Sequence, residues 1–231
     1  MPRFWKGIGF LCAVGALLVS AACRSVLETE ARMFRHFGEA RQVNGAALFG
    51  RLDVAKAAAL RIERAGPVPG VPAGSEAYSH AVQAEARAIT TLADRAALPI
   101  RSAALAEACG ACHGALERGP RFAAGQRPPD PGMQGHMRLH AWAAERLWEG
   151  VVSRDASIWA AGAAALDNEP LPPEDFRTSV GDVDTAFLIS SRAHLLAGQA
   201  VRAVDWPTRT DLLARVTETC YQCHDLIGAG S

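Results

Sequence analysis

Cys109-Gly110-Ala111-Cys112-His113 and Cys220-Tyr221-Gln222-Cys223-His224 are one five-residue pattern written twice in the same chain. The spacing asks for a helix. Residues i, i+3 and i+4 share a helix face, so both thiols and the imidazole point at one patch. That arrangement reads as a covalent attachment site for a c-type haem, and two copies imply two haems. Cys109, Cys112, Cys220 and Cys223 would bond the haem vinyl groups, while His113 and His224 would hold the irons. A lone C-x-x-C would also suit a dithiol or half a zinc site. Zinc half-sites, however, leave two histidines in matching positions unexplained. Of six cysteines, the other two, Cys12 and Cys23, lie in an N-terminal apolar stretch, so no thiol remains for a disulfide or a separate metal site.

That stretch has the layout of a secretory signal over residues 1–23. Arg3 and Lys6 precede an apolar run from Gly7 to Val19, and Ser20-Ala21-Ala22-Cys23 follows. The run falls short of the roughly 20 residues that span a bilayer comfortably, so an uncleaved anchor ranks second. Cys23 resembles the lipidated cysteine of bacterial lipoproteins, with Ser20 standing where such motifs carry Leu. Cleavage after Ala21 or Ala22 fits as well. Export agrees with c-type haem, which bacteria attach beyond the cytoplasmic membrane. The expected location is the periplasm, with or without a lipid anchor. The whole chain carries 24 basic and 24 acidic residues, and removal of Arg3 and Lys6 leaves 22 against 24. Without a basic field, nucleic acid is not an expected partner.

The halves repeat. Met33-Phe34-Arg35-His36 aligns with Met137-Arg138-Leu139-His140 at an offset of 104, and the two cysteine motifs align at 111. Further on, Gly50-Arg51-Leu52-Asp53 matches Ser153-Arg154-Asp155, each followed by an Ala-rich segment. Residues 119–135, rich in Pro and Gly, read as a linker between a first domain at 24–118 and a second at 136–231. Each half reads as four helices. In the first, an apolar stripe at spacings of three and four covers 27–49. Asp53 then caps a second helix that stops at Gly66, Ser75 caps a third running to about Ala96, and a fourth opens at Pro99 and runs through His113. The second half gives helices near 134–152, 155–167, 176–202 and 207–227. Strand-like alternation is absent almost everywhere. With few aromatic residues to fill the cores, buried haem is expected to supply part of the apolar volume.

The fold expected is all-α: two tandem antiparallel four-helix bundles, each with its haem motif on the last helix. Only seven residues follow His224, so a second axial ligand from the protein has to come from upstream. This order resembles the cytochrome c-prime family, the class II c-type cytochromes, and its low-spin relatives. The resemblance implies a four-helix bundle with iron held by His113 and His224 and a sixth position facing the first helix. Two bundles in one chain depart from the usual single-domain members.

Each first helix offers two distal candidates: Met33 with His36, and Met137 with His140. The low-spin relatives use Met, favouring Met33 and Met137. A buried imidazole without a polar partner is costly, whereas a Met beside haem needs none, which favours His36 and His140 as ligands. The other histidines read as surface: His80 and His194 on solvated helix faces, His136 at the linker's edge. The tryptophans Trp142, Trp148, Trp159 and Trp206 read as core or haem-edge packing. No Ser-His-Asp pattern, phosphate loop or carboxylate cluster points to hydrolytic or nucleotide chemistry. The expected function is an exported di-haem electron carrier, not an enzyme, whose partners are periplasmic or membrane redox proteins. Membrane association would come only through the lipid or an uncleaved signal, and pairing into a homodimer is compatible with such bundles. The alternative is a five-coordinate haem protein that binds or senses NO or CO. Peroxide or nitrogen-oxide chemistry at one haem ranks third.

Overall fold

Small side chains set how closely these helices pack. The computed structural model describes residues 28–66, 72, 74–123, 125–129, 131–167, 171–176 and 181–228, and among them there are helices and connecting segments but no strand. In the first half α1 covers 28–48, α2 Leu52–Ala65, α3 Glu76–Thr90 and α4 Leu98–Leu116. In the second, α5 is Gly132–Ser153, α6 Ala156–Leu166, the single turn α7 Pro173–Phe176, α8 Val183–Arg202 and α9 Trp206–Leu226. Buried positions recur every three or four residues: Ala40, Val43 and Ala47 on α1, and Leu139, Ala143, Leu147 and Val151 on α5. These small and aliphatic residues join one continuous core that runs through both halves, with Trp148 and Trp159 as its largest members. Burying each Leu or Ile contributes about 1.5–3 kcal/mol before the cost of ordering the chain.

Helix starts follow local chemistry in the second half. Asp155 accepts from the backbone N–H groups of Ser157 and Ile158 at 2.8 and 3.2 Å, and Asp182 and Asp205 cap α8 and α9 through Thr185 and Thr208. In the first half the expected caps behave differently. Asp53 lies inside the first turn of α2, whose N-cap is Arg51 without a side-chain bond. Ser75 does occupy the N-cap of α3, but its Oγ donates back to the Pro72 carbonyl at 2.5 Å. Three boundaries also move. α3 ends at Thr90, with a separate 3-10 turn at Arg95–Ala97 before α4. The helix expected over 176–202 begins at Val183, because Asp182 supplies the cap and Phe176 belongs to α7. α5 begins at Gly132, so the last four residues of the expected linker are helical. The expectations for residues 1–23, Cys12 and Cys23 included, lie outside the described residues.

The halves pack tightly on each other. α4 lies against α9 and α5, and α9 also touches α5, while α2, α3 and α4 pack in sequence, as do α5, α6, α8 and α9. The repeat is visible in this contact. Arg41 and Glu145, which are equivalent at an offset of 104, form an ion pair with each other. Gly110 and Tyr221 are equivalent at 111, and each faces the other half's helix end. A Cβ on Gly110 would strike the Val151 carbonyl and lie 3.2 Å from Arg154 Nε. The Tyr221 ring instead fills the space over Gly50, the equivalent of Arg154, and would lie 2.5 Å from a Cβ there. A large residue on one side is matched by glycine on the other, in opposite senses at the two places.

Candidate haem sites

α4 and α9 present their motifs as the spacing requires. Cys109, Cys112, Cys220 and Cys223 are all free thiols, and none is exposed. Burial pushes the Cys109 and Cys220 thiols up to about 12, helped by the neighbouring Cys112 and Cys223, so both stay protonated.

The motif histidines are held crosswise. His113 Nδ1 lies 2.7 Å from the carbonyl of Val152, at the end of α5, and His224 Nδ1 lies 2.6 Å from the carbonyl of Leu48, at the end of α1. Leu48 and Val152 are themselves equivalent at the repeat's offset of 104. A carbonyl can only accept, so in both rings Nδ1 carries a proton, and in the neutral ring Nε2 then keeps its lone pair. This is the second partner that a metal-ligating histidine normally has, fixing tautomer and ring orientation. Burial lowers the pKa of His113 in spite of that bond, which favours the neutral ring, the form able to ligate a metal. Phe49 stacks on His224 with centroids 4.3 Å apart and planes 9° from parallel.

A cavity of about 920 Å³ opens in front of the first motif. Cys109, Cys112 and His113 line it from α4, Met33 and His36 from α1, and Gln83 from α3. The segment after α4 closes one side: Arg118 and Arg121 reach the cavity, and Phe122 packs on Phe37 at 5.4 Å. His36 is partly buried, and its Nε2 is shielded from solvent with no hydrogen-bond partner. Burial, followed by Arg32 and Arg35, lowers its pKa, against the pull of Glu39. The structure thus brings four sequence candidates, Cys109, Cys112, His113 and His36, to one cavity, with Met33 beside them.

In the second half His140 is partly buried on α5, its Nε2 also shielded and without a hydrogen-bond partner. Burial drives its pKa down to about 3, with smaller contributions from His136, His194 and His224. Met137 is partly buried on the same helix. Two expectations fail here. His136, read as surface, is 2% exposed, and His194, read as a solvated position, is 7% exposed. His136 continues the α5 stripe one step before Leu139, and His194 adjoins the buried α8 stripe of Ala186, Ser190, Ala193 and Ala197. Those spacings were the available signal. His80 is exposed, as expected.

The residues of the first site fit a covalently held haem, on the evidence of the lined cavity and the orphaned His36 nitrogen facing the site from the opposite helix. The chain matches no protein-family model, and neither the curated proteins nor the solved structures give a match.

Proposed function

We propose that this chain is an exported electron-carrying cytochrome with two c-type haems, one in each of two tandem four-helix bundles related to the cytochrome c-prime architecture. The observation that carries the reading is the paired Nδ1–carbonyl bond of His113 and His224. A bare helix surface has no need to fix a histidine's tautomer, and here both motif histidines have it fixed through equivalent carbonyls. When bound, the haem supplies reversible one-electron chemistry at iron. The chain's own residues do the rest. Cys109 with Cys112, and Cys220 with Cys223, hold the group by thioethers. His113 and His224 present Nε2 as axial donors. His36 offers a neutral imidazole across the first cavity, with Met33 the alternative, and His140 or Met137 takes that place in the second half. Arg118 and Arg121 line the first cavity, where their guanidinium groups would favour a haem's carboxylates. The helices exclude water, which lowers the reorganisation that accompanies a change of charge.

The periplasm is the proposed location, with Cys23 as the residue to test for a lipid anchor. No described helix is long and apolar enough to cross a membrane. Redox proteins of the same compartment are the proposed partners.

The test is optical. Oxidised and reduced spectra of the haem-loaded protein, with and without carbon monoxide, are expected to show low-spin bands at the first haem that ignore the gas. His36→Ala is expected to convert about half of the haem to a high-spin, gas-binding form. An unchanged low-spin spectrum in that variant assigns the position to Met33. High-spin bands in the unmodified protein that shift with the gas would replace electron transfer by gas binding.

A further inference from the structure

One cluster in the second half holds more imidazoles than a haem's distal face asks for. His136 and His140 stand one turn apart on α5, and His194 meets them from α8. Ring centroids lie 4.2 Å apart for His136 and His140, 5.1 Å for His140 and His194, and 5.5 Å for His136 and His194. One ring nitrogen from each can be chosen so that all three lie within 4.8 Å of one another. His136 and His194 are buried, and His140 Nε2 is shielded with no hydrogen-bond partner.

The first half shows what this cluster adds. At the offset of 104, His136 and His140 correspond to Arg32 and His36. At 111, His194 corresponds to Gln83. Burial supports that register on the third helix of each half: Ser79 with Ser190, Ala86 with Ala197, and Ile89 with Ala200 are buried in pairs, apart from any haem ligand. The first half therefore presents a guanidinium, one imidazole and an amide where the second presents three imidazoles. Haem ligation alone asks for one distal side chain, so the two extra histidines need another reason.

We propose that His136, His140 and His194 form a three-imidazole site for a divalent first-row transition metal of the zinc or copper type. Imidazole suits these ions, and three histidines with an open fourth position is a known zinc geometry. Ligands about 2.0–2.1 Å from a tetrahedral ion stand roughly 3.4 Å apart, so nitrogens that lie within 4.8 Å of one another have to close by at most about 1.4 Å. Side-chain rotation covers that distance. The ion would tie α5 directly to α8, two helices whose packing otherwise runs mainly through α6 and α9. A histidine committed here is not available to the second iron, which leaves Met137 as that haem's distal candidate. The site rests on the imidazole cluster and does not require the haem reading.

The experiment uses the full chain as purified, stripped with chelator, dialysed against zinc ion, and measured by mass spectrometry for metal and by pyridine haemochrome for haem on the same sample. The expected result is one zinc per chain, falling more than tenfold in His194→Gln and in His136→Gln, with the haem count unchanged. His194→Gln installs the residue that the first half carries at this position, so its helical circular-dichroism spectrum is expected to match the unmodified protein. Zinc is also expected to raise the melting temperature of the unmodified chain by several degrees and to leave both variants unmoved. Absence of retained zinc overturns the site, as does equal retention in both variants. Two haems without zinc would remove this site and keep the cytochrome, and zinc without haem would do the reverse.

Discussion

His113 and His224 reach across the molecule in the same way, each taking a backbone carbonyl from the end of the other half's first helix. On the opposite side of each site the halves part. His36 faces an open cavity with Arg32 and Gln83 nearby in the repeat, while His140 is crowded by His136 and His194. The comparison teaches that the repeat has preserved how the motif histidine is held and changed what stands against it. A proximal anchor has few solutions, because ring tautomer and angle both have to be set. On the proposed haem reading the distal face admits several, and each would give the iron or a neighbouring ion different chemistry.

The glycines where the halves meet give the largest test of this shared frame. Gly110→Ala drives a Cβ into the Val151 carbonyl, and a backbone atom at the end of α5 cannot rotate aside. The expected loss is about 2–3 kcal/mol in urea denaturation. At the equivalent interface Gly50→Ala meets the Tyr221 ring, which can tilt, though Gly50 also has φ +65. The expected loss there is smaller, about 1–2 kcal/mol. Equal and negligible losses at both positions would break the claim that the two interfaces are matched in shape.

Glu149 sharpens the contrast from another side, since its equivalent in the first half is Gly45. Burial pushes the Glu149 carboxyl from 4.5 up to about 7, against the opposing pull of Arg146 and Arg41. A pKa raised on folding means that the native state holds the proton longer than the unfolded chain. Its contribution to stability is therefore present below pH 4.5 and is lost as pH rises towards 7. Glu149→Gln is expected to be more stable than the unmodified protein at pH 8, by on the order of 1 kcal/mol, with the gap closing by pH 5. Thermal melts at the two pH values check this. A gap that widens at pH 5 would reverse the assignment.

Much of this was legible in the chain itself. Helical periodicity gave the all-α class, and the placement of α1, α2, α4, α6 and α9 follows from stripes, prolines and caps close to those expected. Local signals failed at two helix starts of the first half. Asp53 lost the N-cap of α2 to Arg51, and Ser75 bonds backwards to Pro72. The crosswise carbonyl bonds could not be read from sequence, since Leu48 and His224 are far apart in the chain and any residue supplies a carbonyl. His136 and His194 escape the sequence reading because a histidine with no evident partner on a helix reads as solvated. Only the spacing to Leu139 and the adjacency to Ala193 betray that both lie on buried faces.

The most direct test of the account is the haem content of the full chain, expressed in cells that attach c-type haem and denatured before analysis. Mass spectrometry together with the pyridine haemochrome is expected to show two covalently bound haems per chain, falling to one in Cys109→Ala/Cys112→Ala and to one in Cys220→Ala/Cys223→Ala. A chain that carries no covalent haem under those conditions would contradict it.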